Sequence, residues 1–550
     1  MQQYTEIEKK TYDELVILLN LKQYDKLEKK IEKLLFDHPK SFILFNLQGV
    51  LKKIIGKNLE AIKSFKNAIK INPNVVESYN NLGAVQLEVN EFVDAKESLE
   101  KAIQIKNDFF EAYNNLGVLY KNQRKFKKAI NFFNRCIELN KEYINAYYNL
   151  GETYHEIGDT ELAILNYKNS LKINPNDYAA NYNIGDLFLI KKEFVNAISF
   201  FKKAYDLNQN YTPALASYIF CKMSLSDWSA LEDFEKVKND IGIKGEPIHP
   251  FYTLNLIDDP KNLQIRTQNW SQSNFKDDPN DLISSINVKN EKIKLGYFSS
   301  DFHNHAMLLL MRGQLKTHNT EKFEVYLFGF GHPPKSNLFD EIKNKNNIYI
   351  DLSDKSDDEA VELVRKKKLD FAVDLNGFTT KSRTNIFAKK IAPVQINFLG
   401  YSGTMGSDFM NYIIADKVLI DQTTRKYYQE KVIFMPNSYQ PNDNTRLISE
   451  TKTSRSDHGL KDSDFVICCF NNTYKITKYE FDIWLKILKK IDNAVLWLLD
   501  GSEEVKINLN NYAFKNGVDP KRIIYAKRIN YSKYLERFKH ADIFVDTFNY

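Results

Sequence analysis

The sequence is short of the residues that break chains and of those that bridge them. Its 20 glycines and 14 prolines in 550 residues are about half the usual share, which argues against turn-dense β architecture and for long helices. Four cysteines (Cys136, Cys221, Cys468 and Cys469) are too few for a disulfide framework, and none lies in a CxxC pair. Buried thiols and a cytoplasmic location are expected. No apolar run approaches the roughly 18 residues that cross a bilayer. The opening MQQYTEIEKKTYDELVILLN lacks the basic and apolar segments of a signal peptide. Charge is almost balanced, at +6 with no basic block, which removes the footprint of a nucleic-acid binder. Neither nucleic acid nor membrane is expected as a partner. Length alone exceeds a single core, and 43% apolar with 27% charged residues excludes wholesale disorder.

What the first 210 residues hold instead is a repeat. SYNNLG (78–83), AYNNLG (112–117), AYYNLG (146–151) and NYNIG (181–185) place Gly83, Gly117, Gly151 and Gly185 at intervals of 34 residues. Ala95, Ala129, Ala163 and Ala197 follow at the same interval, and INPN closes units at 71–74 and 173–176. An earlier unit at 42–75 keeps the pattern, and a degenerate one at 1–41 keeps its spacing and Pro39. This period resembles the tetratricopeptide repeat, a helix–turn–helix whose units bury their apolar faces only by stacking. Gly and Ala are expected where paired helices cross closely, with Tyr79, Tyr113, Tyr147 and Phe201 filling the space between pairs. Asn81, Asn115, Asn149 and Asn183 form one column of the repeat. Asn both donates and accepts, so the column either holds an extended peptide or bridges neighbouring helices.

Residues 211–290 lose the repeat and read as a helical connector, with DWSALEDFEKV helical. Beyond it, short apolar runs alternate with helical stretches: IKLGYFSS (293–300), FEVYLFGFG (323–331), IYIDLS (348–353), DFAVDLNG (370–377) and VQINFLGY (394–401). A second series follows, in FVICCFN (465–471), AVLWLLDG (494–501), RIIYAKR (522–528) and DIFVDTF (542–548). The alternation predicts two parallel α/β lobes, at 291–450 and 451–550, with ligands outside the carboxyl ends of the strands. Polar residues do follow those ends: Asp301, His303 and His305 in GYFSSDFHNHAM, and Lys475 in CFNNTYKIT. No GxGxxG, GxxxxGK[ST] or GxSxG occurs, which removes the main support for dinucleotide, P-loop and hydrolase-elbow sites. Asp462 and Asp464 spell the DxD of metal-dependent sugar transferases but precede a strand, and read as a turn.

The repeats together with GYFSSDF, PVQINFLGYSGTMGSDFMNYIIAD, CFNNTYKI, AVLWLLDG and ADIFVDTFNY resemble the O-linked N-acetylglucosaminyltransferases and their Spindly-type relatives. That resemblance implies an α-solenoid followed by a two-lobed GT-B domain. It implies an inverting transfer from a nucleotide sugar, without metal or other cofactor, to Ser/Thr of intracellular proteins recruited by the repeats. N-acetylglucosamine from UDP-GlcNAc is the expected donor group; GDP-fucose, or a non-catalytic scaffold, are the alternatives. On the matching positions, His305 faces the sugar and Lys475 holds the β-phosphate. Asn472 and Tyr474 flank the phosphates, and Leu399 and Gly400 line the sugar pocket. Tyr534 stands where the family has a histidine that packs on the base. The general base stays open among His305, Asp301 and a water chain. In the family the strand matching DTFNY is followed by a His-Thr-Thr loop and a diphosphate-binding helix. If nothing follows Tyr550, the resemblance implies an incomplete second lobe with an exposed apolar edge and weak or no turnover.

Overall fold

A computed structural model describes residues 7–254, 256–275, 291–331, 337–343, 347–379 and 381–548. The last part of the expected connector, 276–290, lies outside the described residues. The chain divides into two compact units, Met1–Leu187 and Phe188–Tyr550.

The first unit is built of antiparallel helix pairs, such as Val76–Glu88 with Phe92–Ile105 and Phe110–Asn122 with Phe126–Leu139. The glycine column has a steric cause. A Cβ at Gly117 would lie 2.4 Å from the Phe133 ring, one at Gly83 2.6 Å from Leu99, and one at Gly151 2.9 Å from Tyr167. The residue sixteen places after each of these glycines therefore presses directly on its backbone, and Phe65, Leu99, Phe133 and Tyr167 are all buried, as is Phe201 at the same spacing in the second unit. This column carries the apolar packing more fully than Tyr79, Tyr113 and Tyr147, which are only half-buried. Of the aromatics expected between pairs, Phe201 alone belongs to it.

A second period shows only in the backbone. Lys22, Gly56, Asn90, Arg124, Gly158, Lys192 and Ser226 all have φ between +52° and +82° and fall 34 residues apart. Each ends a first helix in a left-handed cap, in which the next N–H donates back across the last turn, as from Lys57 to the Lys52 carbonyl at 2.8 Å. Lys22 shows that the degenerate first unit keeps the repeat geometry. Ser226 shows that helix Thr212–Ser224, placed by the sequence in the connector, is built like the first helix of one more repeat.

The second unit contains two parallel sheets. The first runs β1 Ile293–Ser299, β2 Phe323–Gly329, β3 Asn347–Asp351, β4 Phe371–Asp374, β5 Val394–Asn397, β6 Tyr412–Ala415 and β7 Lys431–Phe434, in the order β3-β2-β1-β4-β5-β6-β7. The second comprises β8 Phe465–Cys469, β9 Ala494–Leu499, β10 Ile523–Ala526 and β11 Ile543–Phe544, in the order β10-β9-β8-β11. All pairings are parallel. The inner strands are continuous apolar runs because helices cover both faces. Strands β6 (YIIA) and β7 (KVIF) are short apolar stretches of mixed burial, with Tyr412 and Ile414 half-buried and Lys431 and Ile433 exposed.

On one face of the first sheet Phe298 stacks on Phe328, centroids 4.5 Å apart. In the second sheet Ile467, Cys469, Leu496 and Leu498 share a core with Phe481, Trp484 and, from helix Thr212–Ser224, Leu215 and Ile219. β11 is a short edge strand with Ile543 and Phe544 about half exposed. The four cysteines are buried as expected. Burial pushes the Cys136 and Cys468 thiols up to about 12. Among the described residues no helix is long and apolar enough to cross a membrane.

Candidate functional site

Each sheet has a point where strand order reverses, and a parallel sheet opens a crevice there, beyond its carboxyl edge. In the first sheet this point lies between β1 and β4, in the second between β8 and β11. The residues singled out in the sequence follow these strands.

Beyond β1 and β4 the organising side chain is Asn376, fully buried. Its Oδ1 accepts from the Ser300 N–H at 2.8 Å, while its Nδ2 donates to Ser300 Oγ and to Asp301 Oδ2, both at 3.0 Å. One amide thus fixes the loop after β1 to the loop after β4 and aims Asp301. His303 Nε2 lies 3.5 Å from Asp301 Oδ1, and His305 Nδ1 lies 3.8 Å from Asp301 Oδ2. His305 precedes helix Ala306–Thr317, and its Nδ1 accepts the Met307 N–H at 3.3 Å. A neutral imidazole that accepts at Nδ1 carries its proton on Nε2, so the outer nitrogen is a donor. Beneath this group, Asp374 Oδ1 accepts from the N–H groups of Asn376 and Gly377. Burial raises its carboxyl to about 6, although those two hydrogen bonds oppose the shift.

The loop after β5 holds Leu399 and Gly400 against the same place. Leu399 has φ +71°, a conformation that costs a side-chain-bearing residue about 1 kcal/mol or more. A Cβ at Gly400 would sit 2.1 Å from the Leu375 carbonyl oxygen and 2.9 Å from that of Asn376, so only glycine lets the two loops touch. Asn397 Nδ2 donates to the Tyr401 carbonyl at 2.9 Å. Glu430 is buried and takes the Thr404 hydroxyl at 2.7 Å and the Met405 N–H at 2.5 Å. Burial raises its carboxyl above the usual range against these bonds.

Beyond β8, the short helix Thr473–Lys475 carries Asn472 at its N-cap. Burial lowers the Lys475 ammonium from the usual lysine value, with Asp546 opposing. Asn471 Nδ2 donates to Asp546 Oδ1 at 2.6 Å and to Thr547 Oγ1 at 3.0 Å, which joins the loops after β8 and β11. Arg528, beyond β10, donates to Asn472 Oδ1 at 3.3 Å. The loop is also held from behind by the end of helix Thr212–Ser224. Thr473 donates to the Ser224 carbonyl at 3.1 Å, Trp228 Nε1 to the Ile476 carbonyl at 3.3 Å, and the Tyr474 ring packs 5.8 Å from Phe220. Tyr534 lies in an aromatic group with Phe470 and Phe538, and the buried Arg537 guanidinium covers its ring at 4.8 Å.

The expected residues therefore form two groups, one per sheet. Asp301, His305, Leu399 and Gly400 surround Asn376, and Asn472, Tyr474 and Lys475 share a loop with Asp546. The asparagines of the column make bridges between repeats. Asn115 Nδ2 donates to Asn80 Oδ1 at 2.8 Å, Asn149 to Asn114 at 2.9 Å, Asn81 to Asn46 at 3.4 Å, and Asn183 to the Tyr148 hydroxyl at 2.8 Å. Each reaches back 35 residues to the preceding repeat with one of its two donors. Asp462 and Asp464 sit in the turn before β8, where Asp464 accepts the Lys461 N–H at 2.7 Å. Asn376, Glu430, Asp546 and Arg528 were missed in the sequence. Asp546 directly follows the apolar run IFV and Asn376 stands two residues past β4, and that position was their signal.

The family model described as glycosyl transferase family 41 matches residues 273–452 and 447–549, and tetratricopeptide-repeat models match 76–109, 110–143, 144–177 and 178–211. A protein of Arabidopsis thaliana named probable UDP-N-acetylglucosamine–peptide N-acetylglucosaminyltransferase SEC is 30% identical over 262 residues, 47% of this chain and 27% of that protein. The UDP-N-acetylglucosamine–peptide N-acetylglucosaminyltransferase of Caenorhabditis elegans is 23% identical over 369 residues, 47% of this chain and 32% of that protein. This chain thus spans less than a third of either relative. In fold, it matches an O-GlcNAc transferase of Thermobaculum terrenum with a TM-score of 0.53 at 19% identity, covering 80% of this chain and 78% of that one. The chain belongs to glycosyl transferase family 41, its family domain preceded by tetratricopeptide repeats.

Proposed function

We propose that this chain is a protein O-glycosyltransferase that moves N-acetylglucosamine from UDP-GlcNAc to Ser or Thr of proteins held along its repeats. The observation that carries this reading is the pair of strand-order reversals, each fitted with polar groups suited to one half of the reaction. Family membership and the names of its relatives support the sugar and the nucleotide.

The second-sheet group suits the leaving diphosphate. Negative charge builds on the β-phosphate oxygen as the anomeric bond breaks, and a fixed, partly desolvated ammonium at Lys475 favours that state over the ground state. Asn472 and Tyr474 position the phosphates, and Tyr534, with one face under Arg537, packs beside the base. Lys475 supplies the cation in this reading, and transfer needs no metal. The first-sheet group suits the sugar and the acceptor. Leu399 and Gly400 shape the sugar pocket. His305 donates from Nε2 to a sugar or acceptor oxygen. Asp301, aimed by Asn376, takes the acceptor proton directly or through a water. The acceptor oxygen attacks the anomeric carbon as the bond to the diphosphate breaks, the configuration inverts, and UDP leaves.

Calorimetry and intact-mass assays with UDP-GlcNAc, UDP-glucose and GDP-fucose test this on the chain and on any longer product of its gene. Lys475→Ala is expected to lower transfer by about 100-fold or more, as loss of a transition-state charge partner does. Transfer from GDP-fucose alone would move the donor assignment. Failure of every nucleotide sugar to bind, with peptide binding retained, would leave a repeat scaffold in its place.

A further inference from the structure

A second cluster lies at the opposite, amino edge of the second sheet, before β8 and β11. There the imidazoles of His458 and His540 and the carboxylate of Glu536 converge, with ligand atoms from all three within 4.8 Å of one another. Glu536 and His540 are one helical turn apart at the end of helix Tyr531–Arg537, and both are buried; His458 comes from the segment that enters β8. Their shared neighbour is the Thr453 hydroxyl. It lies 2.9 and 2.8 Å from the two Glu536 oxygens, 2.8 Å from His540 Nε2 and 3.3 Å from His458 Nε2. The hydroxyl can donate to Glu536 and accept from an Nε2–H of each imidazole, so it gathers the three side chains round one point. The point it occupies, ringed by two imidazole nitrogens and a carboxylate, has the donor set and the near-equal distances of a cation position.

We infer that His458, Glu536 and His540 form a zinc-binding site, the ion displacing the Thr453 hydroxyl and taking a water as its fourth ligand. Zinc–nitrogen and zinc–oxygen bonds run to about 2.0–2.2 Å, so from 2.8 Å Glu536 and His540 would close in by about 0.7 Å, and from 3.3 Å His458 by about 1.2 Å. Glu536 also pairs with the Lys539 ammonium, which fixes its carboxylate beside the two imidazoles. Such a site is structural. It ties the segment from Thr453 to His458 to the residues leading into β11, in parallel with the ion pair of Arg455 and Asp542 at 2.9 Å. It stands at the other end of the strands from Lys475 and takes no part in the proposed transfer.

The test is metal analysis of the untagged chain after zinc loading and dialysis, with Co²⁺ titration followed by visible absorption. A single zinc per chain and the intense absorption of tetrahedral cobalt are expected. His540→Ala and Glu536→Gln should weaken binding at least ~10-fold. His458→Gln, at a half-exposed position, supplies the same readout if the buried variants fail to fold. Thr453→Ala separates the alternatives, because it removes a competing hydrogen bond and should bind cobalt as tightly as the parent or more so. No cobalt spectrum in either the parent or Thr453→Ala would overturn the site and leave a threonine-centred polar network. Undiminished zinc in His458→Gln and His540→Ala would also overturn it.

Discussion

The indole N–H of Trp228 donates to the carbonyl oxygen of Ile476, 248 residues away and immediately after Lys475. Trp228 is buried against Phe481 and Tyr512, at centroid distances of 5.4 and 4.9 Å. The Lys475 loop is therefore not a free surface loop, since the end of a repeat-like helix holds its backbone. Trp228→Phe keeps most of the apolar contact and removes the hydrogen bond, leaving the buried carbonyl without that donor. A loss of about 1 kcal/mol in denaturant unfolding is expected, with a several-fold weaker affinity for UDP measured by calorimetry. Unchanged UDP affinity at reduced stability would show that the anchor serves folding alone.

Gly400 faces a harder constraint. With Leu375 O only 2.1 Å from the position of a Cβ, Gly400→Ala must separate the loops after β4 and β5. Overpacking of this kind costs about 1–3 kcal/mol. The expected signature is a fall in donor-sugar affinity larger than the fall in UDP affinity, because the displaced loops belong to the first sheet. Equal losses for UDP and UDP-GlcNAc would remove Leu399 and Gly400 from the sugar pocket.

The pH dependence of stability should carry the mark of Asp374. Its carboxyl titrates at about 6 when folded against 3.8 when unfolded, so between those values the folded chain binds the proton more tightly. Its contribution therefore favours folding fully below about pH 4 and is lost as pH rises through about 6. At neutral pH the buried charge opposes folding by roughly 3 kcal/mol. Both backbone N–H groups donate to the same oxygen, Oδ1, so Asp374→Asn can keep them. The variant is expected to gain roughly 1–3 kcal/mol at pH 8 and nothing at pH 4, read from urea unfolding at the two pH values. A gain that is the same at both would place the cause elsewhere.

Much of this architecture could be read from the residues because its causes are periodic. The 34-residue glycine column marks where Phe133 or Tyr167 presses on a backbone, and continuous apolar runs such as LGYFS and VICC mark strands covered on both faces. The site residues were legible where a polar loop follows such a run, as with Asp301 two residues past β1 and Lys475 six residues past β8. What stayed hidden depends on contacts between distant segments. Asn376 looks like any turn asparagine until β1 lies beside β4, and Glu430 like a surface glutamate until Thr404 folds over it. Ser226 could not be read as a repeat cap, because left-handed geometry leaves no single residue type behind. Gly, Asn, Arg, Lys and Ser all fill that place in this chain. His458 and His540 are 82 positions apart in the sequence, with nothing local to mark them as partners.

The asparagine column offers two roles, and a thermodynamic cycle separates them. Asn115 donates to Asn80 across the repeat boundary at 2.8 Å, and Asn80 is buried while Asn115 is half-buried. If bridging is the whole of its role, Asn115→Ala and Asn80→Ala should each destabilise the chain. Their effects should couple by about 0.5–1.5 kcal/mol, and peptide binding should follow stability alone. An asparagine amide has a second N–H and a carbonyl oxygen, enough to hold a peptide backbone after the bridge is made. The expected result is therefore asymmetric. Asn80→Ala loses stability but leaves acceptor-peptide affinity unchanged at temperatures where the chain is folded, whereas Asn115→Ala loses stability and also binds acceptor peptide several-fold more weakly. Fluorescence anisotropy with a labelled acceptor peptide, set beside the unfolding curves, reads both. Equal peptide affinity in the two variants would reduce the column to a structural ladder and place acceptor recognition on other residues of the repeats.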